Sequence, residues 1–307
     1  MDATKDGMEP PGAGGPWKAW VLAARVPTLT AAVAPVMVGT AAAAGDGMFA
    51  PLPAIAALIA AVCIQIATNF HNDALDFLQG ADTAHRLGPA RATQAGLLSA
   101  RQVLVGAYLC LGIASAAGIY LVAMRGWPIL VVGLMSIAAA LAYTASPLRL
   151  GYRGLGDLFV FLFFGVVAVV GSDYVQSGSV RTVAAAASVP VGLLAAAILV
   201  LNNLRDIETD RAAGKRTLAV RLGPRATRAQ YVFCLAGAIA APAAMRLVGL
   251  LGAWFWLPWL AAPTMVGLAS TVLRHNDAAA LVDALKRTAR LLLVYGALLA
   301  AGLLRGS

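Results

Sequence analysis

Charge is what this chain is short of. Only 12% of its 307 residues are Asp, Glu, Lys or Arg, while 60% are apolar and the mean hydropathy is +0.79. A soluble globular domain carries about twice that charged share, so that class is excluded. Cysteine is scarce too. Cys63, Cys110 and Cys234 sit in apolar runs at no ligand-like spacing, which argues against a disulfide framework or a cysteine metal centre and leaves inert core thiols. Strict alternation of polar and apolar residues is missing, which excludes a membrane β-barrel. The first 17 residues have no apolar leader segment, and they mix Asp2, Asp6 and Glu9 with glycine and proline. They read as a disordered cytoplasmic lead-in to a single membrane domain over 18–307.

What the chain has is long apolar runs. A hydrocarbon core of about 30 Å takes roughly 20 apolar residues per helix. The runs predict an all-α, polytopic helix bundle of about nine spans, near 18–43, 51–70, 102–124, 127–145, 156–176, 184–204, 229–248, 250–273 and 288–305. The net charge of +9 invites a nucleic-acid reading, but its distribution argues against nucleic acid. With spans alternating, every basic residue except Arg125, Arg181, Arg246 and Arg305 falls on one side. That asymmetry puts the N-terminus and the acidic stretches at the cytoplasmic face. High Ala, Gly and Arg usage fits a bacterial source, hence a multi-pass protein of the bacterial cytoplasmic (inner) membrane.

The chemistry concentrates where two apolar runs end. In LVLNNLRDIETDRAAGKRTLAVRLG, residues 199–223, Asn202, Asp206 and Asp210 recur at i, i+4 and i+8, one stripe of a continued helix. Carboxylates on adjacent turns repel each other. A divalent cation carrying a polyanion reverses that repulsion, which points to Mg²⁺ and phosphate. Lys215 and Arg216, beyond a helix stop at Gly214, add positive charge for the same anion. The second stretch, residues 67–96, pairs Asn69 with Asp73 and Asn72 with Asp76 before a stop at Gly80. Asp82 joins the same site only if the chain turns at Gly80 and Ala81. The loop beyond holds His85, Arg86 and Arg91 and has the length of a lid. An unpaired Asp deep in a membrane costs roughly 2.5 to 3.5 kcal/mol. Asp73, Asp76, Asp206 and Asp210 must therefore face water, cations or one another, in a central cavity open to the cytoplasmic side. A third cluster, Tyr143, Arg149, Tyr152, Arg153 and Asp157, falls at the same face; its arginines suit a phosphate and its tyrosines an aromatic substrate. The same residues also suit ordinary interface anchoring. Arg25 near the start of span one is either a snorkelling residue or a substrate ligand.

These motifs, with the opening ARVPTLTAAVAPVMVGT, resemble the UbiA-type intramembrane aromatic prenyltransferases over nearly the whole chain. Asn202, Asp206 and Asp210 match that family's second NxxxDxxxD motif. Asn72 and Asp76 match the first, whose last Asp arrives two residues late as Asp82 in a GAD sequence. Within the family the NDxxDxxxGAD form, the YT-x-x-P-L-x-x-x-YRGLGD loop and RDIETDRAAGKRTLAVRLG look most like the members that prenylate 1,4-dihydroxy-2-naphthoate for menaquinone. The resemblance implies Mg²⁺ held by Asp73, Asp76, Asp206 and Asp210, with Asp82 as a further ligand. It implies a polyprenyl diphosphate donor whose leaving group meets Lys215, Arg153, Arg86 and Arg91, and an aromatic acid acceptor that loses CO₂. Asn69, Asn72, Asn202, Asn203, Arg25, Arg149, Tyr152 and Arg216 become candidate substrate ligands, and Tyr143 and Phe70 candidate shields for an allylic cation. Other acceptors remain open, namely 4-hydroxybenzoate, homogentisate, haem or a tetrapyrrole. A membrane carrier is the rival class; it predicts polar groups at mid-membrane and access from both faces. Neither prenyl length nor oligomeric state is legible in these residues.

Overall fold

A computed structural model of the chain describes residues 15–80, 91–143, 145 and 150–305, and among these every regular element is helical. Asp82, His85, Arg86 and Arg149 lie outside the described residues, as does most of the lead-in. Helix α1 (Gly15–Ala24) begins inside the segment expected to be disordered. A short 3₁₀ turn and α2 (Thr30–Gly45) follow, then α3 (Pro51–Leu78), α4 (Ala100–Arg125) and α5 (Trp127–Ala142). Helix α6 (Gly156–Val160) continues through a π-helical segment (Phe161–Val167) into α7 (Ala168–Ser177). The remainder is α8 (Thr182–Arg205), α9 (Ile207–Ala212), α10 (Leu218–Leu247), α11 (Ala262–Arg274) and α12 (Ala278–Leu304).

Seven of these described helical segments are long and apolar enough to cross a membrane: 26–45, α3, α4, 156–177, α8, α10 and α12. The chain is a multi-pass membrane protein. The two remaining expected spans exist as shorter elements. Helix α5 has 16 residues and α11 has 13, the latter preceded by a 3₁₀ turn at Leu257–Ala261. The run from 250 does not start a helix because the chain turns repeatedly around Gly249, Gly252 and Trp254.

In lipid, apolar burial gives helices little reason to associate; close packing of small residues does. The main core joins α2, α8, α10 and α12, and α2 and α8 present mostly alanine to it, including Ala34, Ala41, Ala42, Ala187, Ala195 and Ala197. Gly165 in the π segment meets Gly192 of α8 so closely that a Cβ on Gly165 would lie 2.6 Å from the Gly192 Cα. The π turn is thereby set tightly against α8.

One end of the bundle is tied shut. At the start of α8, Arg181 pairs with the fully buried Asp173 of α7 and with Asp46 after α2. Arg125 at the end of α4 donates through Nε to the Val175 carbonyl at 2.7 Å and through a second nitrogen to the Gln176 carbonyl. The Gln176 side-chain oxygen accepts the Ala50 N–H at 2.6 Å. These contacts lie at the opposite end of α8 from Asn202 and Asp206.

Candidate active site

Helix α3 runs eight residues past the apolar stretch, because its polar residues are satisfied by the segments packed around them. Asn69 donates through Nδ2 to the Ala24 carbonyl and to Thr28 Oγ1, both at 2.8 Å, and Gln65 donates to the same hydroxyl at 3.2 Å. These bonds pin the bend between α1 and α2 to α3. At the bend Arg25 takes a left-handed backbone conformation, φ 51° and ψ 60°, which costs a non-glycine residue about 1 to 2 kcal/mol. The strained turn turns the chain so that Arg25 lines the central cavity.

Asp73 and Asp76 part company. Asp76 lines the cavity, accepts from Arg91 Nη2 at 2.6 Å and receives the Tyr152 hydroxyl at 2.9 Å. Asp73, only 1% exposed, is not among the cavity-lining residues. One of its oxygens accepts the Ala92 N–H at 3.2 Å; the other accepts the Thr93 N–H at 3.3 Å and the Thr93 hydroxyl. Expected from the sequence to hold metal beside Asp76, it anchors in this structure the turn that delivers Arg91. Phe70, expected to shield a cation, packs on Trp20 at 5.4 Å in a separate small core.

The second stretch is a helix, a break and a helix. Helix α8 ends at Arg205, Asp206 takes the junction at φ −97° and ψ 10°, and α9 starts at Ile207. The junction is gripped by Arg205, whose side chain is 2% exposed. Its guanidinium bonds both oxygens of Asp206, one at 2.7 Å, and Asn202 Oδ1 at 2.9 Å. Arg205 is a cavity-lining residue that sequence reasoning missed, since a basic residue beside an acidic one at a helix end reads as solvated charge. After Gly214, whose φ is +72°, the chain folds back. Lys215 then stands 3.6 Å from Asp210 and 4.6 Å from the centre of the Tyr152 ring. The Arg216 N–H donates to the Tyr152 carbonyl at 2.8 Å, and Arg221 bonds the Arg153 and Arg216 carbonyls at 2.8 and 3.2 Å. Arg153 and Arg216 themselves do not line the cavity. Tyr143 does, with its ring packed on Gly151 so tightly that a Cβ there would lie 2.9 Å from it.

These elements enclose a cavity of about 1360 Å³. Its polar end gathers Asn69, Asn72, Asp76, Arg91, Tyr152, Asn202, Asn203, Arg205, Asp206, Asp210 and Lys215 with Arg25 and Tyr143. Away from that end the lining is almost wholly apolar, with Ile64, Ile137, Phe159, Phe163 and Val167 among its walls. Burial pushes the Asp210 carboxyl up to about 6; Lys215 opposes the rise, and the charges of Asp206 and Asp76 add to it. Three carboxylates thus feel one another across a single space. Among the described residues no three His, Cys, Asp or Glu side chains gather around one point. The donors present, carboxylates and amide oxygens, suit Mg²⁺, which takes one or two protein carboxylates and completes its shell with water and ligand phosphate.

A model of the UbiA prenyltransferase family matches residues 32–304. The chain is 38% identical over 288 residues to the 1,4-dihydroxy-2-naphthoate octaprenyltransferase of Escherichia coli, covering 92% of each chain. It is 40% identical over 248 residues to the enzyme of that name from Mycobacterium tuberculosis, covering 75% of this chain and 85% of that one. Its fold matches that of a UbiA homologue from Archaeoglobus fulgidus bound to DMAPP and Mg²⁺, with a TM-score of 0.64, 15% identity, and coverage of 92% of this chain and 99% of the other.

Proposed function

We propose, for a chain that belongs to the UbiA prenyltransferase family and is a prenyltransferase, a particular donor, acceptor and metal. The reaction transfers a polyprenyl group from its diphosphate to 1,4-dihydroxy-2-naphthoate, with Mg²⁺ and with loss of the acceptor's carboxylate as CO₂, giving demethylmenaquinol, which air oxidises to demethylmenaquinone. The observation that carries this reading is the cavity itself. One end combines carboxylates with Arg25, Arg91, Arg205 and Lys215, as a metal-bound diphosphate requires, and the rest is an apolar hollow for an isoprenoid. The names of the relatives support the acceptor, and the ligands of the archaeal neighbour support donor and metal.

Asp76, Asp206 and Asp210 would hold Mg²⁺, which supplies positive charge to the departing diphosphate. Lys215 and Arg91 add charge to the same oxygens, held ready by their ion pairs, so little reorganisation accompanies bond breaking. The allylic carbon–oxygen bond breaks and its electron pair leaves with the diphosphate. The apolar walls keep water from the resulting cation, and the face of Tyr143 stabilises it as aromatic rings stabilise cations generally. The naphthoate carbon bearing the carboxylate bonds to the prenyl carbon. The carbon–carboxylate bond then breaks, releasing CO₂ and returning its electrons to the ring. In this reading the polar end faces the cytoplasm of a bacterial inner membrane, on the strength of the one-sided basic residues.

The test is turnover in membranes of 1,4-dihydroxy-2-naphthoate with octaprenyl diphosphate and Mg²⁺, wild type against Asp206→Asn, with 4-hydroxybenzoate as rival acceptor. Formation of demethylmenaquinol, read as demethylmenaquinone after oxidation in air, that needs Mg²⁺ and falls at least 100-fold in the variant is expected. Prenylation of 4-hydroxybenzoate alone would overturn the acceptor and leave the family assignment standing.

A further inference from the structure

The membrane segment 156–177 lines the cavity with Phe159, Phe163, Val167, Gly171 and Val175, one residue in every four. No α-helix keeps such a stripe on one side. At 3.6 residues per turn each step of four overshoots by about 40°, and four steps by about 160°, which would turn one end of the stripe away from the hollow. The π-helical stretch Phe161–Val167 supplies the correction, because bonds closed five residues apart put more residues in each turn and rotate the chain less per residue. Two glycines lock it. A Cβ on Gly165 would lie 2.6 Å from the Gly192 Cα and 3.0 Å from the Ser188 carbonyl oxygen, and one on Gly192 would lie 2.8 Å from the Phe161 ring. The wide turn holds two rings toward the cavity, Phe159 and Phe163, with planes within 14° and centres 5.8 Å apart. Carbon faces in contact stand about 3.5 to 4 Å apart, so the rings are slipped and each leaves part of a face to the hollow. Their depth follows from the chain. The Tyr143 hydroxyl at the polar end is level with Gly156, where a Cβ would lie 3.1 Å from it. Phe159 is three residues farther and Phe163 seven, about 4.5 and 10 Å deeper at about 1.5 Å per residue.

We propose that Phe163, aimed by the π segment, is a specificity-determining residue that selects donors unsaturated in the second isoprene unit. The inference rests on the donor proposed above. An isoprene unit, four carbon–carbon bonds of about 1.5 Å projected on the chain axis, extends roughly 5 Å. Counted from a diphosphate at the polar end, the first unit ends beside Phe159 and the second beside Phe163. The first must be allylic for its carbon–oxygen bond to ionise, so the chemistry itself selects that double bond. Nothing in the reaction requires the second. A double bond holds its four substituents in one plane, which lies flat on an aromatic face. A saturated unit is staggered at every bond and gives up more rotational freedom on binding. Val167, the next residue of the stripe, is aliphatic and makes no such demand of the third unit. Gly165 and Gly192 act through Phe163, as positioning residues.

Competition between donors in nanodiscs tests this, with 1,4-dihydroxy-2-naphthoate as acceptor and products resolved by mass spectrometry. The donors are three four-unit diphosphates: one fully unsaturated, one saturated only in the second unit, one saturated only in the third. Two donors compete in each reaction, so the product ratio reports relative kcat/KM and does not depend on how much enzyme folds. Wild type is expected to use the unsaturated donor at least tenfold better than the one saturated in the second unit, and within threefold of the one saturated in the third. Phe163→Leu should shrink the second-unit preference below threefold, and Gly165→Ala, which displaces the ring, should shrink it too. Phe163→Tyr keeps the ring and should keep the preference within twofold of wild type. The proposal is overturned if Phe163→Leu retains the tenfold preference, if Phe163→Tyr loses it, or if saturation of the third unit is penalised as heavily as that of the second. A wild type that prenylates the naphthoate from all three donors alike loses only the role of Phe163. One that prenylates it from none of them loses the proposed reaction as well.

Discussion

Asp73→Asn should weaken the fold and leave the metal requirement alone. Two aspartates three residues apart on one helix invite a common role, yet Asp73 serves the turn at Ala92 and Thr93 while Asp76 faces the cavity. In the variant an amide oxygen can keep the two Thr93 donors, but the amide nitrogen then meets the Ala92 N–H, donor against donor. A lost hydrogen bond to a charged acceptor is worth about 1.5 to 3 kcal/mol, and a buried unsatisfied donor adds to that. Asp73→Asn should therefore cost about 2 kcal/mol, and Asp73→Ala, which loses all three bonds, about 4 kcal/mol. For a chain of this size the first corresponds to a fall in unfolding temperature of roughly 5 °C. The assay is thermal unfolding in nanodiscs beside a Mg²⁺ titration of turnover at a temperature where the variant is folded. Half-saturating Mg²⁺ should stay within threefold of wild type. An unchanged unfolding temperature with a tenfold greater Mg²⁺ requirement would refute the assignment and return Asp73 to the metal.

Arg205→Lys keeps a charge beside Asp206 but cannot bond both its oxygens and Asn202 together; turnover should fall about tenfold with a raised Mg²⁺ requirement, read from the same titration. Since burial raises the Asp210 carboxyl to about 6, a metal ion must displace its proton below that pH. Mn²⁺ affinity, followed by paramagnetic resonance, should be flat above pH 7 and fall by up to about tenfold per unit below pH 6, and Asp210→Asn should flatten that slope. Gly151→Ala places a methyl 2.9 Å from the Tyr143 ring. Overpacking of that kind costs about 1 to 3 kcal/mol, so unfolding temperature should drop and KM for the acceptor rise, whereas Gly133→Ala, with open space around it, should do neither.

Hydropathy located the seven long apolar helices but misjudged where helices begin and end, because it stops at the first polar residue and a helix does not. Helix α3 continues to Leu78 since Asn69, Asp73 and Asp76 all find partners, and α10 starts at Leu218, eleven residues before its apolar run, through a bend at Gly223 and Pro224. Helix α12 likewise starts at Ala278, ten residues before its apolar run. Spacing alone put Asn202, Asp206 and Asp210 on one stripe; they do line one cavity, but across a break at Asp206 that i, i+4 counting cannot foresee. Partnerships across the fold were out of reach. That Asp73 would turn to Thr93, or Tyr152 to Asp76, depends on how loops return to helix ends, and a single sequence does not encode that in any local pattern. Arg25 was legible as a snorkelling residue or a substrate ligand; its left-handed backbone, which no spacing foretells, sets it in the cavity wall.

A hollow of about 1360 Å³ in a membrane protein is an electrical hazard, since water reaching through it would short-circuit the ion gradients the membrane maintains. The ties among Arg181, Asp173 and Asp46, with Arg125 gripping the end of α7, close the bundle opposite the carboxylates. Their charges neutralise one another, so the plug offers no stepping stone to a passing cation, and the apolar floor of Ala56, Leu121, Ile129 and Val175 lies between it and the carboxylates. In the proposed reading, water-soluble ligands come and go on the side of the carboxylates, as an enzyme allows and a carrier does not. An organism can keep such an enzyme at high copy number in an energised membrane without paying in leaked charge.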